Sequence, residues 1–291
     1  MRDQQRRFDR REYLTLAGGA GVATTIGLAG CLEDAEGNGD DRNGDDEDDE
    51  NGDDEDVADD GENGNGDTEG ETIVPGTAPG FEPFQMNVDG ELVGFDIDLL
   101  EAVVAETEYE LGDWEELEFD SLIPALENEN IDVIAAAMTI TEEREESIAF
   151  TESYYSADQS VLVQSGGDVE PDELEDLAGL EVGAQSGTTG EGVVEDELGD
   201  DVDYTSYDNY VLAVEELERG TLDAIVIDEP VAESFAGDRD VEIAFTFETG
   251  EEYGFGVRQD DEDLQEALSE GIAAVEESSE YDEITQEWFD E

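Results

Sequence analysis

The sequence predicts an α/β fold in which mainly parallel sheets are flanked by helices. Residues 132–137 and residues 224–227 form short, almost wholly apolar runs of strand length. Because neither run has a polar face, each is expected to be buried on both sides, as in a parallel sheet covered by helices. Segments with helical periodicity alternate with the strands, notably at residues 210–219 and 264–289. This alternation is typical of α/β domains.

The first thirty residues have the order of a signal peptide. A twin-arginine pair, Arg10 and Arg11, precedes the weakly apolar stretch 14–29, which is too short for an ordinary transmembrane helix. Residues 28–31 (Leu-Ala-Gly-Cys) resemble a lipobox, in which Cys31 is lipidated and becomes the mature N-terminus. The alternative is an uncleaved helix with an incidental cysteine. A twin-arginine signal implies export of a folded protein.

The composition of residues 31–70 predicts a disordered, lipid-anchored tether. They consist mainly of Asp, Glu, Gly and Asn, so they lack the apolar surface that a core requires, and like charges extend them. Stable anchoring requires a second acyl chain on Cys31, because one chain holds a protein only marginally. Metal binding by this acidic run is the alternative, but the spacing of a calcium-binding loop is absent from its sequence. No metal site and no cofactor are predicted.

The charge of the chain excludes some partners. The formal net charge is −79, with no lysine and no histidine, so nucleic acid and anionic membrane surfaces would be repelled. Concentrated salt screens such self-repulsion, since the Debye length falls to about 3 Å at 1 M. The composition therefore predicts a protein from a halophile. A cation buffer is the alternative, which the regular α/β pattern disfavours.

The first half of the folded part is predicted to alternate strands, a hairpin and helices. The sequence Asp89-Gly90 is a strong signal for a hairpin turn, and Pro124 suits the first turn of a helix. The predicted elements are a strand at 72–74, a loop at 75–80, the hairpin at 88–92, a helix from residue 95, a strand at 117–119, a helix from residue 122 and a strand at 132–137.

The second half continues the alternation. Gly220 is expected to end the helix that begins at Tyr210. The predicted elements are a strand at 160–163, a short helix at 171–177, a strand at 180–184, a glycine-rich turn at 185–190, helices at 191–198 and 210–219, strands at 224–227, 241–247 and 253–257, and a helical segment at 264–289.

Polar residues follow three of the predicted strands, and ligands of open α/β sheets bind at the carboxyl ends of strands. Thr139 and Arg144 follow the strand 132–137. Of ten arginines, only Arg144 and three others remain for the folded part. Arginine is suited to a carboxylate, to which it donates two parallel hydrogen bonds. The alternatives are a surface ion pair between Arg144 and neighbouring glutamates, and a capping box formed by Thr139 and Glu142.

The other two strand ends are ambiguous by themselves. The glycine-rich turn with Ser186, Thr188 and Thr189 offers backbone N–H groups to an anion or carboxylate, but it also suits an ordinary tight turn. Asp228 follows the strand 224–227. Its carboxylate could bind a ligand or cap the helix that begins before Pro230, and the sequence favours neither.

Six blocks of the sequence together resemble the polar amino-acid family of extracytoplasmic solute-binding proteins, of the family 3 type, which feed ABC importers. The signal peptide, lipobox and acidic tether resemble those of haloarchaeal lipoproteins of this kind. The similarity covers nearly all of residues 72–291. The blocks are residues 76–84, 94–99, 121–126, 132–144, 182–191 and 222–230, and the ending 281–289 also fits.

The resemblance implies a two-lobed, periplasmic-binding-protein-like fold of type II, with the ligand in the cleft between the lobes. Each lobe would be a mainly parallel sheet flanked by helices. The first lobe would comprise residues 72–154 and 254–291, and the second lobe residues 158–249. Two crossover strands would join them, and ligand binding would close them.

The resemblance also implies roles for the site residues. Arg144 would bind the α-carboxylate of an amino acid, helped by Thr139 and by the N–H groups of residues 186–189. Asp228 would bind the α-ammonium group, together with the carbonyl group of Ala137, where the family often has glycine.

The side chain of the ligand would meet three further residues. Phe81 and Phe119 would be aromatic walls, and Gln185 stands where the family often has a residue that recognises the side chain. Gln185 and the two walls suit glutamine or a basic or acidic amino acid. Glu82 tilts the expectation slightly toward a basic one.

Enzymes and sensors are the alternative classes. Some dehydratases of prephenate or arogenate and some peptidoglycan lyases share this fold. The absence of histidine and lysine removes the commonest general bases and excludes Ser-His-Asp and Cys-His chemistry, although a pair of carboxylates could act as acid and base. A sensor would need a separate signalling partner. We expect a monomeric binding protein without catalysis, anchored to the outer face of the cytoplasmic membrane, whose partners are the permease and ATPase subunits of an importer.

Overall fold

The computed structural model describes residues 70–289. The predictions for the signal peptide, for Cys31 and for nearly all of the tether lie outside these residues. No helix within the described part of the chain is both long and apolar enough to cross a membrane.

The chain forms short strands and helices up to residue 127. A 3₁₀ helix at Phe119–Ser121 leads directly into the second α-helix. The elements are β1 (Thr72–Ile73), β2 (Pro75–Thr77), β3 (Met86–Val88), β4 (Glu91–Val93), α1 (Phe95–Ala105), β5 (Glu110–Leu111), β6 (Glu115–Glu116) and α2 (Leu122–Glu127).

The middle of the chain contains the first of two long strands. A 3₁₀ helix at Leu174–Leu177 and a π-helical turn at Val194–Leu198 lie between its regular elements. These elements are β7 (Val133–Ile134), α3 (Glu142–Glu145), β8 (Ile148–Phe150), β9 (Tyr155–Gln164), β10 (Glu181–Gln185), α4 (Thr189–Val193) and β11 (Asp203–Tyr207).

The remainder contains the second long strand and two C-terminal helices. The elements are α5 (Tyr210–Glu218), β12 (Ala224–Asp228), α6 (Glu229–Asp238), β13 (Val241–Tyr253), β14 (Gly256–Arg258), α7 (Glu262–Glu277) and α8 (Glu280–Phe289).

Two five-stranded sheets organise these elements. The first sheet has the order β6-β2-β7-β14-β8, and the second sheet has the order β11-β10-β12-β9-β13. In the first sheet only β14 runs against the other strands, and in the second sheet only β9 does so. Both sheets are therefore mainly parallel, as the sequence predicts. The apolar strands β7 and β12 occupy the middle of their sheets and are fully buried.

The long strands β9 and β13 pair with each other and carry the chain between the two halves of the molecule. Their pairing extends from the second sheet to Tyr155 and Tyr253. Tyr253 also forms an antiparallel bridge with Thr139 of the first half. The rings of Tyr155 and Tyr253 contact Phe84, and the Tyr155 ring also stacks on Phe289 of α8 at 5.1 Å. The two crossings are thus packed against the first half by an aromatic cluster.

Several predicted boundaries are wrong for reasons that lie in tertiary contacts. Residues 75–77 form the buried strand β2, not a loop, since a proline is tolerated at the first position of a strand. The predicted strand 117–119 is replaced by β6 and the 3₁₀ helix. The predicted helix 171–177 is reduced to a 3₁₀ turn at Leu174–Leu177.

The C-terminal predictions differ from the structure in one further respect. The predicted strands 241–247 and 253–257 are joined, because β13 continues through residues 248–252 by way of a bulge. The predicted helical segment 264–289 consists of α7 and α8, which are separated at Ser278. The predicted apolar face of α7 is confirmed, with Leu264, Leu268 and Ile272 buried.

Local turn chemistry agrees with the sequence. Asp89 and Gly90 both have positive φ, 54° and 87°, as the two-residue turn between β3 and β4 requires. Gly94, directly before α1, has φ 150°, and a Cβ atom there would lie 2.0 Å from the carbonyl oxygen of Phe84. That oxygen accepts a hydrogen bond from the N–H group of Asp96, so it is held in place.

We predict that Gly94→Ala lowers the free energy of unfolding by about 3 kcal/mol or more, because the clash is with backbone and cannot be relieved by a side-chain rotation. Denaturant unfolding in molar KCl measures the effect. Gly192→Ala is the control, since a Cβ atom at that helical position meets nothing within 4 Å. Equal stability of the two variants would contradict the prediction.

Candidate functional site

The polar residues at the three strand ends meet between the two sheets. Thr139 follows β7, Thr189 begins α4, and Asp228 ends β12. Side chains of the two crossing strands join them. We call this group the cleft cluster, which consists of Thr139, Arg144, Gln159, Thr189, Asp228, Glu251 and Tyr253.

Arg144 contacts both halves of the molecule. Its Nη1 donates to the carbonyl oxygen of Thr139 at 2.5 Å, and its Nη2 donates to the carbonyl oxygen of Gly187 at 3.0 Å. Its guanidinium carbon lies 5.4 Å from the centre of the Phe119 ring, a cation–π distance. Burial lowers the pKa of Arg144, and the negative charges of Asp228 and Glu251 oppose this effect.

The surface ion pair considered for Arg144 is absent. Within residues 70–289, Arg144 is the one arginine without a carboxylate at ion-pair distance, whereas Arg219, Arg239 and Arg258 each pair with Asp or Glu. The capping box between Thr139 and Glu142 is also absent. Thr141 caps α3 instead, because its hydroxyl oxygen accepts from the N–H group of Arg144.

Asp228 does not use its side chain as a helix cap. Its carboxylate accepts from the Gln159 amide at 2.7 Å and from the Tyr253 hydroxyl group. The pKa of Asp228 is raised to about 7, mainly by burial and also by the charge of Glu251. The hydrogen bonds from Tyr253 and Gln159 and the charge of Arg144 oppose this shift.

Glu251 lies on β13, where that strand crosses between the halves. Its Oε2 accepts from the hydroxyl groups of Thr139 and Thr189, both at 2.8 Å, and its Oε1 accepts from the Gln159 amide at 3.1 Å. The amide of Gln159 therefore contacts the carboxylates of both Asp228 and Glu251.

The glycine-rich turn is less open than predicted. The N–H groups of Ser186 and Thr188 donate to the carbonyl oxygens of Tyr207 and Gln185, and the N–H group of Gly187 donates to the Glu191 carboxylate. Three of the four N–H groups at residues 186–189 are thus already hydrogen-bonded within the protein, and their role toward a carboxylate stays a prediction. The cause is that β10 remains paired with β11 as far as Gln185 and that Glu191 folds back over the turn.

The side chains of this turn make contacts of their own. The Ser186 hydroxyl group donates to Asp120 of the first half at 3.1 Å. The Thr188 hydroxyl group donates to the carbonyl oxygen of Gln185 and lies 3.2 Å from the hydroxyl group of Tyr210. The side chain of Gln185 is buried at the end of β10.

The two predicted aromatic walls, Phe81 and Phe119, are both buried. The Phe119 ring lies beside Arg144. The Phe81 ring packs against Phe84 at 6.0 Å and against Tyr210 of the second half at 5.8 Å. Phe119 therefore contacts the cleft cluster through Arg144. Phe81 contacts Tyr210, whose hydroxyl group lies 3.2 Å from that of Thr188 in the glycine-rich turn.

Ala137 lies beneath the cleft cluster in a left-handed conformation, with φ 47°. Glycine adopts this conformation at no steric cost, whereas the Cβ atom of Ala137 makes it strained. The N–H group of Ala137 donates to the Asp96 carboxylate at 2.5 Å, and the Tyr154 hydroxyl group donates to the same oxygen at 3.0 Å. Burial raises the pKa of Asp96 to about 7 despite these hydrogen bonds, which lower it.

Three members of the cleft cluster were missed by the sequence analysis. Gln159 is a polar residue beside the apolar run 160–163, which is a signal that could have identified it. Tyr253 was assigned only to a strand. Glu251 is one of several acids between residues 248 and 252, so only its place in the fold distinguishes it.

Two α/β halves joined by two long strands, with complementary charges in the cleft between them, define the two-lobed, type II class of periplasmic binding protein. The chain belongs to the bacterial extracellular solute-binding proteins, family 3, whose family model matches residues 73–291. The fold and family that the sequence analysis inferred are confirmed.

Characterised relatives bind amino acids. The chain is 32% identical over 232 residues to the lysine/arginine/ornithine-binding periplasmic protein of Escherichia coli (strain K12), covering 76% of this chain and 88% of that protein. It also resembles the solved structure of an ancestral arginine-binding protein bound to arginine, with a TM-score of 0.70, 36% identity, and coverage of 76% of this chain and 99% of the other.

One structural neighbour is connected to an enzyme. It is an ancestral amino acid-binding protein described as a precursor of cyclohexadienyl dehydratase, with a TM-score of 0.70, 30% identity, and coverage of 75% of this chain and 95% of the other.

We predict that Asp96→Asn stabilises the protein more at alkaline than at acidic pH. Because the pKa of Asp96 is raised in the folded state, the folded chain keeps a proton that the unfolded chain loses above about pH 4, so the stability contributed by Asp96 falls as the pH rises toward about 7. The neutral amide has no such dependence. The difference in unfolding free energy between variant and wild type should shift by about 2 kcal/mol between pH ~5 and pH ~8.

Denaturant unfolding at both pH values in molar KCl measures this shift. Asp113→Asn is the control for the loss of one charge at an exposed position. A difference between Asp96→Asn and wild type that is the same at both pH values would contradict the prediction.

Proposed function

We propose that this protein captures a polar amino acid outside the cell and delivers it to an ABC importer, without catalysis. The observation that carries the proposal is the state of Arg144. It lies in the cleft between backbone carbonyl oxygens of both halves, with no carboxylate of residues 70–289 at ion-pair distance. The raised pKa of Asp228 marks a buried carboxylate that gains from a cationic partner. An amino acid supplies both missing charges.

The proposed contacts follow from these positions. Arg144 binds the α-carboxylate of the ligand together with Thr139. Asp228 binds the α-ammonium group together with the carbonyl group of Ala137. The hydroxyl groups of Ser186, Thr188 and Thr189 line the second half of the site.

The proposed contacts to the ligand side chain are hydrophobic walls and one amide. Phe81 and Phe119 form the walls, and Gln185 lies where it can contact the end of the side chain. We further propose a basic amino acid as ligand. The relatives described above bind lysine, arginine or ornithine, which favours a basic ligand for this chain.

Closure of two lobes is the proposed mechanism. We assign residues 72–154 and 254–291 to the first lobe and residues 158–249 to the second lobe, with the crossings of β9 and β13 as the hinge. Ligand groups held by Arg144 from one lobe and by Asp228 from the other favour the closed arrangement, since only that arrangement makes both contacts.

The remaining assignments also stay proposals. Residues 1–30 are a twin-arginine signal peptide, Cys31 is the lipidated N-terminus, and residues 31–70 are the tether that holds a monomer at the outer face of the cytoplasmic membrane. The acidic, lysine-free composition suits concentrated salt. Stability and ligand binding of this protein are therefore best measured in molar KCl.

Dehydration of prephenate or arogenate is the second candidate, and the neighbour that preceded a cyclohexadienyl dehydratase favours it. Asp228, with a pKa of about 7, would be the proton-transferring group. Incubation of the purified protein with prephenate and arogenate tests this candidate. Product formation that Asp228→Asn abolishes would support it.

We predict that Arg144→Ala weakens binding of the cognate amino acid by at least about a hundredfold, because a buried carboxylate without its partner costs about 3–5 kcal/mol. Calorimetric titration of the wild type against the twenty amino acids identifies the ligand, and titration of the variant measures the loss. Arg219→Ala is the matched control, since Arg219 pairs with Glu215 and Glu216 on the exposed face of α5. Retention of wild-type affinity by Arg144→Ala would refute the assignment.

We predict that affinity for L-arginine falls as the pH drops below about 7. The ammonium group pairs with ionised Asp228, so at lower pH binding must first remove a proton, and affinity should be about tenfold weaker at pH ~6 than at pH ~8. Histidine is absent from the sequence and cannot contribute to this change. Asp96→Asn should retain the profile. Equal affinity of the wild type at the two pH values would show that Asp228 does not pair with the ammonium group.

A further inference from the structure

The carboxylate of Glu251 accepts a hydrogen bond from Thr139, a residue that the proposed function assigns to the ligand carboxylate. Its Oε2 accepts from the Thr139 and Thr189 hydroxyl groups at 2.8 Å each. Thr139 is the residue proposed to assist Arg144 in binding the α-carboxylate. A threonine hydroxyl group has a single hydrogen to donate, so Thr139 cannot donate to both carboxylates at once.

The electrostatics of the cleft support the same conclusion. Burial lowers the pKa of Arg144, and the negative charges of Asp228 and Glu251 oppose this effect. Glu251 also raises the pKa of Asp228. A ligand carboxylate bound by Arg144 and Thr139 would therefore compete with Glu251 for the Thr139 hydroxyl group.

The hydrogen bonds of Glu251 connect the two halves of the molecule. Thr139 belongs to the first half, and Thr189 begins α4 beside the second sheet. The contacts through a single carboxylate oxygen therefore join the halves across the cleft, in addition to the covalent crossing of β13 itself. A ligand carboxylate held by the same donors would join the halves in the same way.

A bulge in β13 lies directly before Glu251. Between Phe247 and Glu251 the chain advances four residues while its partner β9 advances from Gln159 to Ala157, which is two residues, so β13 carries a bulge. The Asp158 carboxylate accepts from the N–H groups of Thr249 and Gly250 at 2.9 and 3.0 Å and holds this bulge.

We propose that Glu251 is an internal substitute for the ligand carboxylate. It binds Thr139 and Thr189 and holds the halves together in the protein without amino acid, and the incoming ligand displaces it. The inference rests on the proposed function for the position of the ligand carboxylate, whereas the connection between the halves is independent of it. Glu251 is a competitor of the ligand and not one of its contacts.

The test compares Glu251→Ala with the full-length wild type in molar KCl. We expect Glu251→Ala to bind L-arginine about tenfold more tightly, because the competitor is removed. Glu251→Gln keeps a neutral acceptor and should fall between the two. The control is Glu252→Ala, which removes one charge from the next position of the same strand, where the side chain is exposed. Weaker binding by Glu251→Ala would show that Glu251 contacts the ligand and would overturn the proposal.

A second measurement separates this inference from the proposed function. Small-angle scattering without amino acid should give a larger radius of gyration for Glu251→Ala than for the wild type and for Glu252→Ala. Saturating L-arginine should make the three equal. If the wild type bound none of the twenty amino acids, the proposed function would fail, and a larger radius for Glu251→Ala would still support the connection between the halves. Equal radii without amino acid would overturn the connection.

Discussion

The cleft depends on the guanidinium group of Arg144, which has no carboxylate of residues 70–289 at ion-pair distance. Residues 70–289 contain four arginines and no lysine, and three of the arginines pair with carboxylates. Arg144 instead donates to backbone carbonyl oxygens of both halves. A half-buried cation is stabilised by nearby negative charge, and here Asp228 and Glu251 supply it from other elements. The arrangement is therefore stable while leaving the guanidinium group available to a further carboxylate.

The architecture was predictable where the composition of a single strand indicates how that strand is buried. The runs 132–137 and 224–227 are apolar on both faces, so their central places in two sheets followed from composition. The turn at Asp89 and Gly90 followed from backbone sterics. Strand β2 was not predictable, because Pro75 and Gly76 oppose a strand locally and only pairing with β6 and β7 compensates.

The site was predictable in part for the same reason. Thr139, Arg144 and Asp228 lie at strand ends, and the order of elements alone brings them together. Glu251 and Gln159 could not be selected from the sequence, because their contacts depend on how two strands far apart in the chain are paired. Resemblance to a family supplied roles for the strand-end residues. The contacts of Glu251 came only from the three-dimensional arrangement.

The bulge in β13 has a consequence for how this cleft can change through evolution. Side chains of a strand alternate between its two faces, so an insertion of one residue reverses every side chain beyond it, whereas an insertion of two preserves the alternation. The bulge between Phe247 and Glu251 adds two residues relative to β9. The side chain of Tyr253 therefore lies on the same face of β13 as it would in a strand without this bulge. Insertions and deletions in pairs at this position offer a route by which a lineage can add or remove a cleft carboxylate while the hinge remains intact.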